Sequence, residues 1–351
     1  MKGPILLFAC ITMGIGAQPV VRADAVDALF GAYNQPTVPG ASVMAIRDGK
    51  VLYRHAYGLA NVENHMAAGT GTNYRLASVT KQFTAMAIMI LAERKRLSFD
   101  DDLTKFFSDY PAYGKQITIR QLLNHTSGLR AYEDLIPPER TAQLKDLDVL
   151  DLLKRQTGTY FTPGSEWRYS NTGYAHLALI VEKASGMRFA AFLKKYIFDP
   201  LHMSGTVALE EGVSTVRNRA YGYSEHGSGF ERTDQSLTSA VLGDGGIYSS
   251  VEDLYLWDQA LYTTQLVGAE TLLQAFTAAV LSGGKKTSYG FGWEIGEYRG
   301  LKTVRHGGST IGFRTHIARF PEKRFTVIVL INRNSAKPEV IADRIADLYL
   351  F

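Results

Sequence analysis

Ser78 and Lys81 stand three residues apart in the segment "RLASVTKQFTAM", which runs from Arg75 to Met86. On a helix that spacing puts a hydroxyl and an amine on one face. A serine hydroxyl is a poor nucleophile until a base takes its proton. A buried lysine can be that base, because loss of water disfavours the charged form. Phe83, Met86 and Ile88 surround the pair with apolar side chains. A helix N-terminus would also favour negative charge developing on the serine oxygen. The spacing alone is weak evidence: Ser282 and Lys285 repeat it in "LSGGK", where paired glycines indicate a loop.

Two further segments carry groups of complementary chemistry. "PGSEWRYSNTGYA" holds Tyr169 and Asn171 in a turn before a helix. A phenol beside an ammonium can shuttle protons, and an asparagine can bond both a lysine and a substrate amide. "VRHGGSTIGF" holds His306, Gly307, Gly308 and Ser309 at a strand end, where glycines let a backbone approach a substrate closely. The N–H of Ser309, with that of Ser78, could form an oxyanion hole. One such donor is typically worth about 3 kcal/mol of transition-state stabilisation.

The elements that must position these groups are readable from periodicity. "ASVMAIRDGKVLYRHAYG" reads as two strands joined at Asp48-Gly49. "VTKQFTAMAIMILAERK" is apolar nearly all round, the pattern of a buried helix. Further helices are expected over 25–33, in "TIRQLLNHTSGL" up to Gly128, over 144–154, from Tyr174 to Gly186, and in "SVEDLYLWDQALY" with Ser250 as N-cap. "YGFGWEIG", "KTVRHGG", "FRTHIARF" and "RFTVIVLINR" read as strands, and "PEVIADRIADLYLF" as a closing helix. Strands at both ends with helices between imply an α/β protein of the α+β type. One mostly antiparallel sheet would form from the N- and C-terminal parts, flanked by terminal helices, with an all-helical lobe inserted. The expected division is a single catalytic domain over 24–351: a sheet lobe of 24–77 plus 285–351, and a helical lobe of 78–284.

The three chemical elements, in this order, resemble the penicillin-recognising serine hydrolases, the superfamily of class C β-lactamases, DD-peptidases and related esterases. The resemblance covers nearly all of residues 24–351 and includes "SVTKQFTA", "LLNHTSGL", "FTPGSEWRYSNTGYA", "PLHMSGT", "GDGGIYSS" and "HGGSTIGF". It implies a β-lactamase/transpeptidase-like fold, with Ser78 as acylated nucleophile and Lys81 and Tyr169 as the acid–base pair. It also implies Asn171 as a substrate contact and His306-Gly307-Gly308 as the strand facing the substrate. The implied substrates are small molecules or peptides with an ester, amide or β-lactam bond. One departure bears on specificity. β-Lactamases of this family usually carry Lys-Thr-Gly where this chain has His306-Gly307-Gly308. A fixed charge and a hydroxyl that hold a substrate carboxylate are therefore missing. Weak β-lactamase activity is expected, with esters or uncharged-end amides favoured. Arg314 could partly substitute, whereas Arg305 should face away from His306. Lys286-Thr287 falls before the strand that should bear the motif.

Composition narrows the setting. The chain has 351 residues, 46% hydrophobic and 21% charged, with a formal charge of +4. Nothing there points to nucleic acid. Residues 1–23 read as a cleavable signal peptide cut near Ala23, which implies a periplasmic or secreted protein. Cys10, the only cysteine, lies inside that segment, so the exported chain would hold no disulfide; a lipid on Cys10 is the less favoured reading. No later apolar run is long enough to span a bilayer. The eight histidines show no paired metal-ligand spacing, so no metal or other cofactor is expected. Glu166 reads as a surface or turn residue and His125 as a hydrogen-bonded structural one. Trp167, Trp257 and Trp293 read as core or cleft wall. An α/β-hydrolase is disfavoured, because no serine has glycine at both −2 and +2. The non-enzyme alternative is a penicillin-binding acyl acceptor or sensor that acylates with little turnover.

Overall fold

The computed structural model describes residues 17–351, so most of the expected signal segment lies outside the described residues. Six strands make the main sheet: β1 (Ala41–Arg47), β2 (Lys50–Tyr57), β3 (Glu294–Tyr298), β4 (Leu301–Thr310), β5 (Phe313–Phe320) and β6 (Phe325–Ile331). Their order is β3-β4-β5-β6-β1-β2, with every neighbouring pair antiparallel. The N-terminal strand β1 sits beside the last strand β6, in register from Ala41↔Ile331 to Arg47↔Phe325. Asp48 and Gly49 both take positive φ between β1 and β2, which suits the right-handed strand twist.

The helices of nine residues or more are α1 (Ala17–Leu29), α2 (Lys81–Glu93), α3 (Asp146–Lys154), α4 (Asn171–Ser185), α5 (Val251–Ala260) and α6 (Pro338–Leu350). Two apolar layers follow from the strand alternation. Val43, Ala45, Val327 and Val329 face the terminal helices, meeting Val26 of α1 and Ile345 of α6. Met44, Ile46, Ile328 and Leu330 face the inserted segment. There α2 is buried from Lys81 to Leu91, because the sheet lies on one side of it and other helices on the rest. Phe83 packs on Trp257 of α5 with centroids 4.4 Å apart, and Trp257 Nε1 donates to Gln82 Oε1 at 2.9 Å. Arg319 of β5 pairs with Asp258 of α5 at 2.6 Å, both 1% exposed, tying the sheet to the insertion.

Several elements differ from expectation, each for a local reason. The first helix begins earlier and ends at Leu29. The helix in "TIRQLLNHTSGL" is only Ile119–Leu123, capped by a Thr118–Gln121 box. It stops before Gly128 because His125 already turns left-handed, at φ +64. "YGFGWEIG" is strand only from Glu294, since Gly290 and Gly292 press against the backbone of Ala275 and Lys81. The inserted segment, expected all-helical, also holds a hairpin, Tyr223–His226 with Gly229–Arg232. It adds two strands, Ile247–Ser249 and Val207–Ala208, to a small sheet with Tyr74–Arg75. Strands of two to four residues are too short to show a period.

Candidate active site

Ser78 lies in a 3-10 turn, Ala77–Thr80, that runs straight into α2, so the hydroxyl precedes the α-helix and Lys81 is the first residue of it. Ala77 takes φ +49, a strained conformation for a residue with a Cβ. The turn is held from the sheet side. Thr315 Oγ1 of β5 donates to Leu76 O at 2.7 Å. Gly308 of β4 lies so close that a Cβ there would fall 2.1 Å from the same oxygen and 2.2 Å from Thr315 Oγ1. Only glycine fits. Gly308→Ala should therefore lower stability by about 1–3 kcal/mol and disturb the Ser78 turn. Gly307→Ala, whose Cβ would sit 3.5 Å from His316 Nδ1, should cost less than about 1 kcal/mol. Thermal melts of the two variants check the contrast.

Lys81 is fully buried. Its Nζ donates to Ser78 Oγ at 3.1 Å, Asn171 Oδ1 at 2.8 Å and the Asp244 carbonyl at 2.9 Å. Three acceptors match the three protons of an ammonium group. Two rings close the site: Nζ lies 5.0 Å from the Tyr169 centroid and 5.4 Å from that of Tyr174. What the structure brings to Lys81 is thus the face of the Tyr169 ring, where sequence reasoning anticipated its hydroxyl.

Asn171 opens α4, behind Ser170, whose Oγ caps the helix by accepting from Gly173 N at 3.3 Å. His125 fixes this turn: its Nδ1 accepts from Ser170 N at 3.2 Å, and its carbonyl accepts from Arg168 N at 3.0 Å. Burial holds the imidazole far below its ordinary pKa, so it is neutral and structural, as expected. Tyr169 packs on it at 4.4 Å, and Trp167, 40% exposed, forms the outer cleft wall. Trp257 and Trp293 are core, and Glu166 is exposed.

His306 points from β4 towards the same cluster, 6.2 Å from Tyr169 between ring centroids. Its Nδ1 lies 2.6 Å from Gly307 O and must donate; its Nε2 then accepts from Tyr289 OH at 2.7 Å. Burial, with the nearby Lys81 charge, lowers its pKa to about 3. His306 is therefore neutral and supplies no fixed charge in place of the missing lysine. Arg305 bonds Asp343 of α6 at 3.5 Å, on the opposite face as expected. Arg314 does not enter the site: its guanidinium donates to the carbonyls of Thr310 and Phe313, each at 2.7 Å. Ser309 is exposed near the end of β4, opposite Arg314. Ser282 and Lys285 lie in a loop, and Lys286 precedes β3.

Four contributors were missed in the sequence. Tyr289 sits in the irregular stretch before β3. Asp244 lies in a four-residue helical turn, Leu242–Gly245, and accepts from Lys81 through its carbonyl. Its buried carboxyl accepts from Tyr132 OH at 3.0 Å, and Glu133 accepts from Asn171 Nδ2 at 2.7 Å. The only signal was the acid flanked by glycines in "GDGG", since a carbonyl acceptor has no side-chain signature. Behind this layer, Asp146 of α3 accepts from the N–H groups of Leu242 and Gly243 at 2.9 and 3.0 Å. Burial raises the pKa of Asp146 to about 7 and that of Asp244 to about 6. A carboxyl raised above its unfolded value contributes stability that is full below the unfolded pKa and is lost as pH rises through the folded one. The stability of wild type relative to Asp146→Asn should accordingly fall between pH 4 and pH 8. Denaturant titrations across that range give the slope, and a rising difference would refute the assignment.

A buried lysine on a serine hydroxyl, under a sheet whose last strands face an inserted helical segment, defines a serine hydrolase site of the β-lactamase class. The chain belongs to the beta-lactamase family: the family described as Beta-lactamase matches residues 26–350. It is 33% identical over 321 residues to penicillin-binding protein 4* of Bacillus subtilis, covering 87% of this chain and 70% of that one. It is 26% identical over 318 residues to a D-aminopeptidase of Brucella anthropi, covering 86% of this chain. The chain spans 58% of that relative's length and 60% of the Staphylococcus aureus protein flp. Among solved structures, the octameric penicillin-binding protein homologue from Pyrococcus abyssi aligns with a TM-score of 0.79 at 29% identity, over 94% of this chain and 77% of that one. A D-amino acid amidase from Ochrobactrum anthropi shares the fold at TM-score 0.79 and 23% identity, over 93% and 98% of the two chains. No described helix is long and apolar enough to cross a membrane.

Proposed function

We propose that this enzyme is an exported hydrolase working through an acyl-enzyme on Ser78, and that it cleaves ester or amide bonds. The observation that carries the reading is Lys81: fully buried, 3.1 Å from Ser78 Oγ, and otherwise bonded only to uncharged acceptors. In the reactive form either the Lys81 amine or the Tyr169 phenol has given up its proton, and that group receives the one Ser78 loses. Oγ attacks the acyl carbon and the N–H groups of Ser78 and Ser309 take the developing oxyanion. The proton then passes to the leaving group, and water repeats the sequence to free the acid. Asn171 and the His306-Gly307-Gly308 strand line the acyl group. The favoured substrates are carboxylic esters and D-amino-acid peptides or amides, in keeping with relatives named D-aminopeptidase. The neutral His306 supports only weak β-lactam hydrolysis, because it leaves a substrate carboxylate without a partner. In this reading residues 1–23 are removed near Ala23, residues 24–351 act as one catalytic domain, and the enzyme works in the periplasm or outside the cell.

A second reading, an acyl acceptor with little turnover, is favoured by one observation. His306 Nε2 accepts from Tyr289 OH and His125 Nδ1 accepts from Ser170 N, so neither imidazole has a free lone pair and water activation falls to the same Lys81–Tyr169 pair that made the acyl-enzyme. The two readings separate when purified protein meets a p-nitrophenyl acyl ester, a chromogenic cephalosporin and a D-alanyl-D-alanine peptide, with turnover and protein mass followed together. Steady release of product supports the hydrolase. A lasting mass adduct without turnover supports the acceptor, and silence towards all three leaves neither standing.

A further inference from the structure

Asp244 lies in the helical turn Leu242–Gly245, whose backbone is held at both ends. Asp146 takes the N–H groups of Leu242 and Gly243. Three successive carbonyls then accept from side chains: Gly243 O from Thr84 Oγ1 at 2.7 Å, Asp244 O from Lys81 Nζ at 2.9 Å and Gly245 O from Arg75 Nε at 3.2 Å. With its carbonyl tied to Lys81, Asp244 keeps its carboxyl within the reach of one short side chain from Nζ. The carboxyl is fixed too. Tyr132 OH donates to its Oδ2 at 3.0 Å, and the Tyr132 N–H is anchored on Thr172 Oγ1 at 2.9 Å.

The backbone contacts need no acid here. Any residue brings a carbonyl to Lys81, and an asparagine would accept from Tyr132 as well. Yet this position holds a carboxyl that is 7% exposed and, among the described residues, in no ion pair. Burial opposes its charge. The Lys81 charge is the strongest influence favouring it, joined by the Tyr132 hydroxyl and Arg75, while Glu133 opposes it and Asp146 behind is repelled by it. The side chains in contact with Lys81 bring no carboxylate: Ser78 and Asn171 bond it, and Tyr169 and Tyr174 present ring faces. His125 and His306, further out, are neutral. Glu133, beyond Asn171, is exposed, so solvent weakens its field.

We propose that Asp244 is the positioning residue for the proton that the Lys81–Tyr169 pair must give up, its carboxylate charge setting the pH at which Ser78 becomes reactive. The negative charge favours an ammonium on Lys81 and disfavours a phenolate on Tyr169. It therefore holds the pair protonated whichever group serves as base. Removing the charge makes the base available at lower pH. This inference rests on the hydrolase reading above and deepens it.

The test is the pH profile of Ser78 acylation by p-nitrophenyl acetate, from about pH 5 to about pH 10, in wild type and in Asp244→Asn. Spontaneous hydrolysis is subtracted, and a melt accompanies each protein. The ascending limb should move to lower pH in the variant, by about one pH unit or more. Asp244 carries its charge above about pH 6, so the shift is read on that side. A purely structural role would instead lower the rate at every pH and leave the midpoint in place. Tyr132→Phe, which removes the donor that favours the carboxylate, should move the limb in the same direction by less, and it decides the matter where Asp244→Asn does not fold. A folded Asp244→Asn whose limb is unmoved or raised, or which no longer acylates, overturns the Asp244 assignment and leaves the hydrolase intact. No turnover and no Ser78 adduct in wild type overturns both.

Discussion

Ser78→Ala should show no covalent adduct with any acylating probe, and turnover of p-nitrophenyl esters should drop by about 10⁴-fold or more, to the level left by binding alone. Only Oγ is removed, and the partner it loses is Lys81 Nζ, which keeps its contacts to Asn171 and Asp244. The fold should therefore survive, and a circular dichroism spectrum and melt matching wild type establish that the loss is chemical. Mass spectrometry of the probe-treated protein gives the decisive readout. An adduct persisting in the alanine variant would assign the nucleophile to another residue.

Lys81→Met should slow acylation by about 10³-fold while leaving Ser78 in place. Methionine fills much of the lysine volume in the buried site, which limits the cavity left behind. It cannot donate, so Asn171 Oδ1 and the Asp244 carbonyl lose a partner, and some stability goes with them. The kinetic effect must be read as a rate of adduct formation at saturating probe, with a melt run alongside to confirm that the protein is folded. A variant that is folded and acylates at the wild-type rate would remove the amine from the mechanism. The prediction is sharper than for a surface lysine, because Nζ here contacts only the nucleophile, an amide oxygen, a carbonyl and two ring faces.

Most of what positions Ser78 was legible in the sequence. Alternating apolar residues around Asp48-Gly49 marked β1 and β2, and the β-branched run after Phe325 marked β6. An apolar surface on all sides of α2 revealed that Lys81 would be buried. Ser78 and Lys81 could be picked out by their spacing at the head of an apolar run, and Asn171 by its place just behind the capping residue Ser170. The remainder depended on backbone geometry that side-chain periodicity does not report. His125 ends its helix through a left-handed φ that histidine seldom takes. Asp244 serves Lys81 with a carbonyl, which every residue has. Tyr289 reaches His306 from a stretch bent by Gly290 and Gly292, where no regular element exists to count along. The orientation of Tyr169 follows from its packing on His125, which emerges only once the turn is built.

The placement of β1 between β2 and β6 has a consequence for synthesis. At about 5–20 residues per second, a ribosome needs tens of seconds to travel from Arg47 to Phe325. Through that interval the N-terminal hairpin has one flank unpaired, and the apolar layers on both sides of it cannot close. The nascent chain is thereby kept from locking into its final shape until nearly all of it has emerged.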